Sequence, residues 1–140
     1  MTVVDTDVLS ALMRREINPI VIAWLDRQPA ESIWTTAITE FEVRFGLDLL
    51  PSGRRKRQLQ HAFELVLNED FQGRILPFDS GAAAVAAGLA ARRRSDGKPV
   101  DFRDIEIAGI ASVRRATLAT RNTRHFEDLG IEIVNPWDTA

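Results

Sequence analysis

The segment Thr2-Val3-Val4-Asp5-Thr6-Asp7-Val8-Leu9-Ser10 runs a short β-branched stretch straight into a carboxylate, and the carboxylate into the start of a helix. Thr2 to Asp5 reads as a buried strand, and Val8 to Met13 as helix. Asp5 then stands where the first strand ends, at the lip of a sheet and close to low-dielectric core. An unpaired carboxylate in that place costs several kcal/mol or takes up a proton. A bound cation relieves that cost. The structural alternative is service as N-cap of the next helix, for which Asp is a favoured residue.

Working outward, a second short helix follows Pro19 through Trp24 and Leu25, with Pro29 beyond its end. Ser32 to Thr36 reads as the second strand. A helix begins at Thr39, with Phe41, Phe45 and Leu49 at i, i+4 and i+8 on one face. Pro51-Ser52-Gly53 breaks it, and another helix follows with Leu59, Phe63, Val66 and Leu67 as its apolar stripe. Arg74 to Phe78 is the third strand. Asp79-Ser80 caps an alanine-rich helix reaching about Arg94, which Ser95-Asp96-Gly97 ends. Asp101 or Arg103 opens a helix carrying Ile107, Ile110 and Ala111. Ala116 to Thr120 and Ile131 to Val134 are the last strands.

Strands alternating with helices specify a parallel sheet covered on both faces. The expectation is one α/β domain over residues 1–140, a three-layer α/β/α arrangement around a mostly parallel sheet of about five strands. Ligands of such sheets gather beyond the carboxyl ends of the strands, where strand order switches. That rule points to the residues just after Val4, after Trp34 and around Thr117–Thr120.

The 140 residues contain no cysteine and only two histidines, His61 and His125. A disulfide framework, a zinc–thiolate site and a cysteine nucleophile are thereby excluded, and a histidine-based metal site is poorly supported. Metal chemistry here rests on oxygen ligands, which select Mg²⁺, Mn²⁺ or Ca²⁺. No stretch approaches the ~18 consecutive apolar residues of a membrane span, and Met1 to Asp5 lacks the features of a signal peptide; the expected compartment is the cytoplasm. The net charge of −2 is unevenly spread, with arginine blocks at Arg54-Arg55-Lys56-Arg57, Arg92-Arg93-Arg94, Arg114-Arg115 and Arg121/Arg124. Separated signs suit a protein that holds cations in one place and polyanions in another, although such blocks are as often plain solvated helix faces.

Three acids stand out. Asp5 is the first. Glu40 and Glu42 share a helix but point about 200° apart, so they cannot both face one site. Glu42 has Gly46 at i+4, which clears space beside it, so Glu42 is the expected ligand and Glu40 a surface acid. Asp104 opens the helix Asp104-Ile105-Glu106-Ile107-Ala108-Gly109-Ile110-Ala111, whose Ala108 and Ala111 let that face pack closely. A helix N-terminus also favours negative charge on its own account. All three segments begin where a parallel sheet brings strand ends together.

The run Val4 to Ser10 resembles the opening of PIN domains of the VapC toxin type. Ala37-Ile38-Thr39-Glu40-Phe41-Glu42-Val43-Arg44-Phe45-Gly46 is similar to their second motif, in which the acid stands four residues before the glycine. Asp104 to Ala111 resembles the third. Leu118-Ala119-Thr120-Arg121-Asn122-Thr123-Arg124-His125-Phe126, with Val134-Asn135-Pro136-Trp137, resembles the fourth motif and ending of one branch. The resemblance implies metal-binding catalytic acids at Asp5, Glu42 and Asp104. The fourth position, often Asp in the family, is Asn122, which brings an amide oxygen but no charge; with Thr120 it would position a water or ligand. His125 stands where relatives often carry another acid.

By the same resemblance the chain is an Mg²⁺- or Mn²⁺-dependent endoribonuclease, the toxin of a toxin–antitoxin pair. Its partners would be a VapB-like antitoxin, single-stranded RNA or tRNA as substrate, and a second copy in a homodimer. Arg44, Arg121 and Arg124 lie within the motif segments and are the first candidates for phosphate contacts. Leu9, Leu12, Met13, Ile22 and Trp24 offer apolar surface for partner contacts, or else form intradomain core. Phe41, Phe45, Phe63 and the tryptophans fit core or interface rather than base stacking. The rival readings are a catalytically silent PIN fold and, less well matched, a receiver-type Mg²⁺-binding domain with Asp79 after its third strand.

Overall fold

The computed structural model describes residues 1–138; the last two residues of the expected domain lie outside the described residues. Five strands, β1 (Thr2–Val4), β2 (Ile33–Thr36), β3 (Ile75–Leu76), β4 (Thr117–Ala119) and β5 (Ile133–Val134), form one sheet in the order β3-β2-β1-β4-β5. All four pairings are parallel. The switch in strand order lies at β1, between β2 and β4. A receiver-type sheet runs 2-1-3-4-5 instead, and Asp79 is engaged as a helix cap, its Oδ1 accepting from the Ala82 amide at 3.0 Å.

Six helices cover the two faces: α1 (Thr6–Met13), α2 (Pro19–Asp26), α3 (Ala37–Asp48), α4 (Arg54–Leu65), α5 (Ser80–Ser95) and α6 (Phe102–Val113). The two-residue repeat of the strands sorts their side chains. Val4, Ile33 and Ala119 join a core with Leu9, Leu12, Val43 and Phe63, beneath α1 to α4. Val3, Leu118 and Leu76 join the opposite core with Ala82, Ala86, Ile105 and Ile110, beneath α5 and α6.

The fold decides two points about apolar surface that the sequence leaves open. Leu9, Leu12 and Trp24 are buried within the domain, with Met13 and Ile22 packed against the same core, so they present little surface to a partner. Phe41, Phe45 and Leu49 are 59%, 52% and 69% exposed, so they are not core. The buried face of α3 is Thr39, Val43 and Leu47 instead. Phe41 and Phe45 stack on each other in solvent, with ring centroids 6.0 Å apart.

Helices α5 and α6 meet at Gly109. A Cβ there would lie 2.7 Å from the Ala82 carbonyl oxygen and 2.9 Å from the Ala86 Cβ. Gly109→Ala should therefore destabilise the fold by about 1–3 kcal/mol through overpacking. Gly46→Ala, with nothing within 4 Å of the added carbon, should be neutral or stabilising by up to about 1 kcal/mol. Urea unfolding of the two variants distinguishes a packing glycine from a merely tolerated one.

Candidate active site

The register of β1 and β4 pairs Val4 with Ala119, so the next residues, Asp5 and Thr120, emerge side by side from the carboxyl end of the sheet. Asp5 is 6% exposed. Its Oδ1 accepts from the Val8 amide at 3.4 Å, making it the N-cap of α1, and its Oδ2 accepts from the Thr120 hydroxyl. The N-cap role that the sequence offered as the structural alternative is thus present. Burial is the main cause that raises the Asp5 pKa to about 6; Asp7 adds to it, while the Thr120 hydrogen bond opposes it.

Glu42 sits in the middle of α3, whose N-cap Thr36 accepts from the Thr39 amide at 3.0 Å. One oxygen of Glu42 accepts from the Thr6 hydroxyl at 3.1 Å, and the other lies 3.7 Å from Arg103 Nη1. Burial pushes its pKa up, opposed by Thr6 and Arg103 and reinforced by Asp104 and Asp101. Gly46 borders a cavity of 400 Å³ that Glu42 also lines, so the space beside this carboxylate is open, as the glycine spacing predicts.

Asp104 lies in the first turn of α6, behind the cap Asp101, whose Oδ1 accepts from the Arg103 and Asp104 amides at 3.0 and 3.2 Å. Burial and then Asp101 raise its pKa, while His125 lowers it. His125 Nδ1 stands 3.0 Å from Asp104 Oδ2.

The three acids are thus drawn to one end of the sheet by contacts between their neighbours. Thr6, next to Asp5, holds Glu42, and Arg103, next to Asp104, reaches the same Glu42. Asn122 donates its amide to Asp7 Oδ2 at 3.2 Å, and its backbone N–H to Thr120 Oγ1 at 3.0 Å. It therefore supports the strand end that holds Asp5. Sequence reading passed over Thr6, Asp7 and Arg103, because their partners lie 36 to 115 residues away and no local spacing marks them.

The candidate phosphate-binding arginines differ in their surroundings. Arg44 is paired with Glu40 at 2.9 Å and Glu64 at 2.8 Å. Arg121 lies over the Trp137 ring, 4.7 Å from its centroid. Arg124 borders a 360 Å³ cavity that Asp104 and His125 also line.

Among the described residues, no three His, Cys, Asp or Glu side chains are close enough to form a ready-made metal cage. The donor chemistry still fits a hard cation. The three acids offer oxygens, and these carboxylates are partly desolvated with their pKa values displaced upward. Mg²⁺ keeps several waters and is usually bound through one or two carboxylates, so a closed cage is not required.

The charge on Asp5 opposes folding of the metal-free protein. Its folded pKa, about 6, lies above the ordinary value of 3.8, so stability is highest below pH 3.8 with respect to this group and is lost as pH rises through 6. Asp5→Asn keeps the shape and the cap acceptor. It should stabilise the metal-free protein at pH 8 by on the order of 3 kcal/mol, and the gain should shrink toward pH 4. Thermal unfolding at the two pH values measures it.

The fold and the sequence have known relatives. A family profile described as PIN domain matches residues 2–132. The chain is 39% identical to VapC ribonuclease Y4jK of Sinorhizobium fredii, over the full length of both. It is 37% identical to toxin FitB of Neisseria gonorrhoeae, covering 98% of this chain and 99% of that one. The solved structure of FitAB bound to an IR36 DNA fragment contains a chain that superposes with a TM-score of 0.89 at 36% identity, covering 100% of this chain and 98% of the other.

Proposed function

The chain belongs to the PIN-domain family, and we propose that it is the toxin of a toxin–antitoxin pair, an Mg²⁺- or Mn²⁺-dependent endoribonuclease folded as one domain over residues 1–140. The observation that supports this reading is that Asp5, Glu42 and Asp104, linked through Thr6 and Arg103, are each raised in pKa chiefly by burial. Clustered, desolvated carboxylates repel one another, and a divalent cation relieves that repulsion. The ribonuclease name of one full-length relative and the toxin name of another support the same function.

Asp5, Glu42 and Asp104 would hold the ion. When bound, the ion makes water a competent nucleophile near neutral pH and offsets charge building on the phosphoryl oxygens. Thr120 fixes one oxygen of Asp5, Thr6 fixes one oxygen of Glu42, and His125 fixes one oxygen of Asp104. These contacts orient the carboxylates before substrate arrives. Asn122 and Thr120 position water or ligand at the same strand end. Arg121 and Arg124 flank that end in sequence and would take the phosphates of single-stranded RNA or a tRNA loop. Arg44 would join them only by exchanging Glu40 or Glu64 for a phosphate.

The exposed Phe41, Phe45 and Leu49 supply the apolar surface that a second copy or an antitoxin would cover. The FitB relative is a toxin whose fold is solved within a FitAB assembly on DNA, which supports an antitoxin partner here. Among the described residues no helix is long and apolar enough to cross a membrane; the proposed site of action is the cytoplasm, where the RNA is.

A second reading, a silent PIN module, rests on Asn122, whose uncharged side chain stands where the resemblance implies an acid and donates to Asp7. Incubating mixed RNA with the wild type, Asp5→Asn and Asp104→Asn, each with Mg²⁺, Mn²⁺ or EDTA, decides between the two. Cleavage should need metal and fall by about 100-fold or more in each variant, the scale of losing one stabiliser of transition-state charge. RNA binding without cleavage under every condition would establish the silent module instead. Protons compete with the ion for Asp5, whose pKa is about 6. At limiting Mg²⁺, activity should therefore drop as pH falls below about 6 and recover when Mg²⁺ is raised; an activity profile at two Mg²⁺ concentrations tests this.

A further inference from the structure

The block Arg92-Arg93-Arg94 closes α5. Arg92 and Arg94 are exposed, but Arg93 is only 8% exposed. A guanidinium buried to that extent is retained only with full pairing. Arg93 Nη2 donates to Asp128 Oδ1 at 2.6 Å and to the backbone carbonyl of His125, and its Nε donates to Asp128 Oδ2 at 3.3 Å. Lys98 Nζ reaches Asp128 Oδ2 at 3.3 Å, and Arg92 donates to the Asp128 carbonyl at 3.0 Å.

These bonds converge on the segment that follows β4. Phe126 and Leu129 anchor that segment in the core, but His125 itself is exposed and lies in a single short turn, Thr123–His125. Its backbone is tied to Arg93, and its ring meets Asp104 on α6 at 3.0 Å. Because α5 and α6 are in close contact at Gly109, the guanidinium and Asp104 are carried by one tightly packed pair of helices. An ionised carboxylate only accepts, so with Asp104 ionised this contact needs the proton on His125 Nδ1.

We propose that Arg93 is a positioning residue of the site: by holding the His125 carbonyl and Asp128, it sets the His125 imidazole on Asp104 and thereby fixes the orientation of that carboxylate. The catalytic consequence rests on the ribonuclease reading above, whereas the geometric one does not.

Two readouts separate positioning from simple stabilisation. The first is ¹⁵N–¹H NMR of the histidine rings in metal-free protein at pH 8, where exposed His61 is the internal reference and no third histidine interferes. In the wild type His125 should be held as the Nδ1–H tautomer. In Arg93→Met it should move to the Nε2–H form that a free imidazole favours, as His61 shows. The second readout is RNA cleavage. Arg93→Met should lower kcat by about 10-fold or more, the range for outer contacts that orient ligands, with little change in KM. Arg93→Lys should restore part of the loss, and Arg93→Met should add no further loss of kcat in a His125→Ala background.

A lower melting temperature with unchanged tautomer and unchanged kcat per folded molecule would overturn the proposal. So would losses that multiply in the double variant. If Arg93→Met does not fold, Arg93→Lys and Asp128→Asn carry the same comparison. If the wild type cleaves no RNA, the tautomer measurement still decides the geometry, so failure of the function and failure of the positioning remain distinguishable.

Discussion

The carboxylate of Asp5 sits where β1 and β4 end, almost wholly out of water, and its desolvation works against the burial of valine and leucine that assembles the sheet around it. Two neutral donors, the Thr120 hydroxyl and the Val8 amide, bond to its oxygens without cancelling the charge. Much of the surrounding structure follows from having to hold that charge in place. The strand order must put β4 beside β1 so that Thr120 is available, and α1 must start immediately after Asp5 so that its first amides point at the carboxylate. An uncompensated charge in such surroundings is unfavourable for stability and favourable for binding a cation, so both properties trace to the same atoms.

Burial of the two cores then brings the remaining acids to this point. Burial of Val43 and Leu47 sets the rotation of α3, whose Glu42 meets Thr6, and burial of Ile105 and Ile110 sets that of α6, whose Asp104 meets His125. The polar contacts that join the acids run through their sequence neighbours. Thr6 and Arg103 both engage Glu42, one from each side, and the three segments are thereby tied together without any direct bond between two carboxylates. A cavity beside Glu42 leaves space next to that carboxylate.

The arginines show how little a charge run says about its own role. Arg44 forms ion pairs between α3 and α4, Arg121 covers Trp137, and Arg93 is buried as the brace of the segment after β4. In the sequence these were alike, as basic residues near motifs or in blocks. Their fates diverge because each helix presents successive residues at about 100° intervals, and only the packing of neighbouring helices decides which angle faces a partner.

Local chemistry was legible without a structure. The alternation of strands and helices, the caps at Asp79 and Asp101, the breaks at Pro51-Ser52-Gly53 and Ser95-Asp96-Gly97, and the position of Asp5 at a strand end all depend on interactions within a few residues, and they appear in the structure close to where the pattern puts them. Helical geometry likewise sets Glu40 and Glu42 on different faces, and in the structure Glu40 pairs with Arg44 while Glu42 meets Thr6 and Arg103. What the sequence could not determine was which apolar stripe is buried. Phe41, Phe45 and Leu49 have the spacing of a core face and the greater hydrophobicity, yet Val43 and Leu47 face the sheet, because the burial of a helix is set by the elements it meets and not by its own periodicity. The contacts Thr6–Glu42, Asn122–Asp7 and Arg93–His125 were hidden for the same reason. Each joins residues far apart in the chain, and only the assembled fold brings them within hydrogen-bonding distance: β1 beside β2 for Thr6–Glu42, β1 beside β4 for Asn122–Asp7, and α5 beside the segment after β4 for Arg93–His125.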